Sequence, residues 1–268
     1  MLSSVLFFFL THLGVGVSFT LALVDRQAGV KFFRFNAGLA AILIAIGFAL
    51  RPAAQDAHAA VEAVALGALI LAEAALVTFW AIVGRMLPRW RRPLSLIAIG
   101  GGLVALIAQA LGVAAERETL SSLLTVASFL SSAAVLGGAC GAMILGHWYL
   151  VLPSMDVAHL QSMVRFHIGS VVVRVVVVGA AVFLAVATWQ QGGGPSFERY
   201  IFSIGGIFFW QRILFGLAGP MLLSYLTWET AKIRSTQSAT GILYVDFFTI
   251  VVGEVLAKYL LLSTSVPV

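Results

Sequence analysis

SSLLTVASFLSSAAVLGGACGAMILGHWYLVL, from Ser121 to Leu152, contains no charged residue and decides the fold class. It exceeds the ~20 apolar residues that a helix needs to cross ~30 Å of hydrocarbon. At 1.5 Å per residue such a span extends nearly ~50 Å, so it is expected to tilt, protrude or break, with Gly137-Gly138 and Gly141 as the place to bend.

The rest of the chain repeats the pattern. Of 268 residues, 61% are apolar and 10% charged, where soluble domains carry about 25% charged residues. The expected fold is an all-α polytopic helical bundle in one transmembrane domain, residues 1–268. Its eight spans fall at about 2–24, 32–50, 59–83, 94–114, 120–152, 166–188, 199–228 and 239–262. Breaks come at Asp25-Arg26-Gln27, Arg51-Pro52, Arg89-Trp90-Arg91-Arg92-Pro93, Glu116-Arg117-Glu118 and Gln191-Gly192-Gly193-Gly194-Pro195. No basic region precedes the first apolar run, so Met1 to Val24 reads as a retained span.

The net charge of +5 sits at span ends, which argues for topology signals and against nucleic acid. Arg26, Lys31, Arg34, Arg85, Arg89, Arg91, Arg92, Arg165, Lys232 and Arg234 fall in the odd connections, which places those in the cytoplasm and both termini outside. Trp90, Trp148, Tyr149, Trp189, Tyr200, Trp228 and Tyr259 fall near span ends, as interfacial anchors do. Cys140 is alone, which excludes a disulfide framework. Arg34-Phe35-Asn36-Ala37-Gly38 and Arg165-Phe166-His167-Ile168-Gly169 share an R-F-x-x-G pattern, pointing to a weak 4+4 parallel repeat of halves 1–115 and 120–262.

Ionisable groups inside a membrane are costly and mark function. His12 lies on a stripe with Ser4, Phe8, Gly16 and Thr20, so it is expected to face other helices. His147 ends the fifth span and His167 opens the sixth, at depths expected to differ by ~5 Å, which suits two axial ligands of one b-type haem. Arg174 and Arg212 are candidates for the propionates, and Trp148 and Tyr149 for the sides of a quinone ring. His12 is an alternative ligand; the three histidines are also the candidate metal ligands, though a copper or zinc site lacks clustered carboxylates or thiolates. Glu73 and Glu254 are the candidate proton-handling carboxyls, with Glu254 and Lys258 also able to neutralise each other at i, i+4. His58 and His159 read as loop residues, and Thr236 or Ser238 as the cap of the eighth helix.

The function expected first is a membrane redox subunit of a respiratory type in a bacterial-type inner membrane, binding haem b, handling quinol and passing electrons to partner subunits. The rivals are a cofactor-free permease with an intramembrane Arg/Glu path and a structural anchor of a larger complex. P-loop, HExxH, GxSxG and CxxCH motifs are missing from the sequence.

Overall fold

The computed structural model of the chain describes residues 1–52, 59–85, 88–115, 117–152, 155–188 and 197–268. His58, Trp189 and the Gln191-to-Pro195 break lie outside them. Among the described residues all regular structure is helical. Eight long helices follow one another: α1 Leu2–Leu23, α2 Gly29–Ala49, α3 Ala59–Ile82, α4 Arg91–Val113, α5 Thr119–Val151, α6 Ala158–Thr188, α7 Ile204–Lys232 and α8 Thr236–Thr264. The first seven correspond to spans long and apolar enough to cross a membrane. The eighth, 29 residues long, stands outside that set and carries Asp246, Glu254 and Lys258 on its buried face.

The helices form two rings with the same neighbour pattern. In the first, α1 packs on α2, α2 on α3, α3 on α4 and α4 on α1; in the second, α5 packs on α6, α6 on α7, α7 on α8 and α8 on α5. The rings meet where α1 touches α5, flanked by α4 against α5 and α8 against α1. Accordingly α1 and α5 are the most enclosed spans, with 78% and 67% of their apolar windows buried. Large apolar side chains such as Ile42, Val64, Val176 and Phe183 are exposed on the outside, as a bilayer-facing surface requires. This is a multi-pass membrane-type bundle.

Small residues set the central contact. A Cβ on Gly137 would run into the Gly16 backbone, and one on Gly16 into the Ala133 carbonyl, so α1 and α5 approach backbone to backbone. Of the three outcomes expected for the long fifth span, tilting, protruding or breaking, the break is not the one taken: Thr119–Val151 is one unbroken 33-residue helix. Its glycines serve contact instead, Gly138 against His167 and Gly141 against Met163 and Thr20.

The sixth helix begins at Ala158, earlier than the expected position near 166, because His159, Gln161 and Ser162 continue the helical turn outside the apolar run. The eighth begins at Thr236 with Ser235 at its N-cap, whose hydroxyl bonds that of Ser238 at 3.0 Å; neither Thr236 nor Ser238 is the cap. Within α7 a π-helical turn, Leu214–Ala218, begins two residues after Arg212.

Candidate functional site

The interior of the second ring is polar. Helix α8 delivers Glu254, α6 Arg174, α7 Arg212, α5 Ser128, Ser131 and Ser132, and α1 reaches across from the first ring with His12. All seven are buried. Arg174 grips Glu254 with two parallel bonds, Nε to Oε1 at 2.9 Å and Nη2 to Oε2 at 3.1 Å, the geometry in which a guanidinium holds a carboxylate best. Its Nη1 donates to the Ser128 carbonyl at 3.0 Å and hydroxyl at 2.8 Å, and to the Ser131 hydroxyl at 3.3 Å. Arg212 Nη2 reaches Glu254 Oε1 at 3.0 Å. Lys258 Nζ lies 3.5 Å from Glu254 Oε2 and donates to Ser132 Oγ at 2.7 Å.

Ten residues separate Glu254 from Thr264 at the end of α8, about 15 Å along the axis, so the cluster lies well inside the helix and away from both its ends. Three cations share one carboxylate there, leaving a formal surplus of two positive charges. Arg174 is saturated with partners. Arg212 is not: its Nε and Nη1 are buried without a hydrogen-bond partner. The close approach of α7 and α8 at Gly216 and Gly253 gives that guanidinium its slot, since a Cβ on Gly216 would collide with Arg212 Nη1.

His12 closes the cluster. Its Nδ1 lies 3.1 Å from Ser132 Oγ, which donates its one proton to Glu254 Oε2 at 2.6 Å and accepts from Lys258. Nδ1 must then be the donor, and the lone pair is left on Nε2, buried and unpartnered. The ring meets Phe129 edge-on at 4.6 Å, and Lys258 Nζ lies 5.5 Å from the same Phe129 ring.

A second rung crosses the ring about 12 Å away, eight residues back along α8, where His167 Nε2 meets Asp246 Oδ2 at 2.7 Å with both side chains fully buried. His167 Nδ1 and Asp246 Oδ1 have no partner. Arg174, seven residues after His167, faces the same interior, as the helical repeat requires.

The structure does not unite the two histidines expected to share an iron. His147 is exposed and bonds the Tyr244 hydroxyl at 3.1 Å, whereas His167 points inward to Asp246. Tyr244 and Asp246 are two residues apart on α8 and so face nearly opposite sides. The depths of His147 and His167 differ somewhat more than expected: His167 lies nine residues, about 14 Å, past the start of α6 at Ala158, and His147 four residues, about 6 Å, before the end of α5 at Val151. Among the described residues no group of three or more His, Cys, Asp or Glu side chains is placed to hold a metal ion.

Trp148 and Tyr149 are structural ties. The Trp148 indole donates to the Ala28 carbonyl at 3.0 Å and packs on Phe32. The Tyr149 hydroxyl donates to the Asp156 carbonyl and accepts from the Leu160 amide at 3.3 Å, fastening the α5–α6 connection. Glu73 stays in the first ring, half-buried with one oxygen unpartnered, on a helix whose principal contacts are α2 and α4. It pairs with neither Arg174 nor Arg212, both of which go to Glu254. Half-buried His159 bonds Gln27 at 3.1 Å.

The residues not singled out beforehand are the three serines. Ser128, Ser131 and Ser132 stand at i, i+3 and i+4, one polar strip on an otherwise apolar helix, and that spacing was their signal. No family model matches the sequence, and no curated protein matches it at a significant level.

Proposed function

We propose that the chain is a membrane transporter that carries an anion through the polar interior of its second ring, with Arg212 as the residue that takes the substrate. The carrying observation is the surplus of cationic groups around Glu254, together with the two unpartnered nitrogens of a fully buried Arg212. A guanidinium in a dry interior is expensive unless an anion meets its N–H groups. The buried polar rungs His167–Asp246 and Arg174–Glu254 are stacked along α6 and α8, which is where this reading places the route, and the matched neighbour pattern of the two rings supports the parallel 4+4 repeat on which transporter folds are often built. Basic odd connections support an orientation with both termini outside and His147 at the cytoplasmic edge.

The test is flux. The chain, reconstituted in vesicles, is expected to pass chloride, phosphate or a small carboxylate from a defined panel, with Arg212→Gln lowering the rate at least tenfold while helicity is retained. A folded, reconstituted protein that moves none of the panel ends the transport reading.

One observation favours the redox alternative: His12 Nε2 and His167 Nδ1 are both buried ring nitrogens without partners. A reduced-minus-oxidised visible spectrum with a haem α band lost in His12→Ala supports that reading over transport, and a colourless preparation removes it.

A further inference from the structure

A cavity of about 680 Å³ opens at the end of the bundle opposite the α1–α2, α3–α4, α5–α6 and α7–α8 connections, between the first turns of α1 and α3 and the last turns of α4 and α8. Its size lies in the range of small-molecule sites, ~300–1,000 Å³. Phe7, Phe8 and Leu69 make its apolar floor; Arg51, Glu62 and Arg117 stand at its polar side.

Gln109 is the telling residue. It lines this cavity at only 8% exposure, and neither its amide nitrogen nor its amide oxygen has a hydrogen-bond partner. An unmet amide in an apolar wall is costly, and such groups are almost always paired, with protein, water or ligand. Arg117 supplies the second observation. Its Nη1 is buried without a partner, and burial pushes its guanidinium below the ordinary arginine pKa. Arg51, by contrast, is shared with Glu62 at 3.6 Å, so Arg117 is the cation in the cavity wall without an acidic counterpart among the described residues.

We propose that this cavity binds an amphipathic anion, its acidic oxygens on Arg117, a neighbouring polar atom on the Gln109 amide, and its hydrocarbon part against Phe7, Phe8 and Leu69. The chemistry is shared by a free aliphatic carboxylate and by the head of an acidic lipid. The site uses none of the residues assigned to transport, and binding is measured without flux, so either reading can fail alone.

Full-length protein in detergent is titrated with octanoate, and in a separate arm placed in nanodiscs of phosphatidylglycerol or of phosphatidylcholine, with melting temperature and calorimetric binding as readouts. Saturable octanoate binding assigns the free anion; added stability in phosphatidylglycerol alone assigns the lipid. In whichever arm responds, Gln109→Leu and Arg117→Gln are each expected to weaken the effect at least tenfold. Ligand-free Gln109→Leu is expected to melt no lower than the parent, because it removes an unmet buried amide; a purely packing role for Gln109 predicts the reverse. The proposal is overturned if wild-type protein responds to neither probe, or if both variants respond as wild type does.

Discussion

Glu254 accepts bonds from Arg174, Arg212 and Ser132 and stands within ion-pair distance of Lys258, so its charge has no substitute. Glu254→Gln keeps the shape and removes the only counter-charge of the cluster, leaving three cations facing one another. Removing one member of a buried ion pair costs about 3–5 kcal/mol, so this variant is expected to melt far below the parent, read by thermal unfolding in detergent. Tyr149→Phe is a milder case: two hydrogen bonds to the α5–α6 connection vanish, with an expected loss of about 1–2 kcal/mol and no change in anion flux. At this scale the sequence exposed Arg174, Arg212, Glu254 and His12 as buried groups, because a charge or imidazole inside an apolar run announces itself. It did not give the direction of His147. The neighbouring Gly146 packs closely on Thr240 and Leu243 of α8, and which of two adjacent helix residues takes the contact depends on the rotation of the helix, which hydropathy does not encode.

Helices in this bundle are positioned by their glycines, and the glycines divide into two kinds. Gly137 and Gly216 leave no room for a methyl group, whereas a Cβ on Gly169 would meet nothing within 4 Å. Gly137→Ala and Gly216→Ala are therefore expected to destabilise by about 1–3 kcal/mol through overpacking. Gly169→Ala is expected to be neutral or to stabilise by up to about 1 kcal/mol through helix propensity. Equal effects at all three positions in a thermal-shift comparison would sink this account of the packing. Seven of the eight expected spans are long and apolar enough to cross a membrane, and the order of the long helices was legible from hydropathy alone. The start of α6 was not, because its first turns are polar and helical at once. That offset of about two turns is what carried His167 deeper than its apolar run suggests.

The two rings share a neighbour pattern but differ in what fills them. Buried ion pairs cross the second, and the first contributes to that cluster only through His12 on α1. The proposed orientation is checked by cysteine labelling in a Cys140→Ser background: Arg234→Cys is expected to react with a membrane-impermeant maleimide only after the membrane is opened, and Ser3→Cys from outside without opening. The reverse pattern would invert the topology and place the 680 Å³ cavity on the cytoplasmic side.

Gly16 and Gly137 bring two backbones together with no side chain between them, at the junction of the rings. Any side chain added at either position would wedge the rings apart, so the union of the two halves rests on the absence of a single carbon atom from each helix.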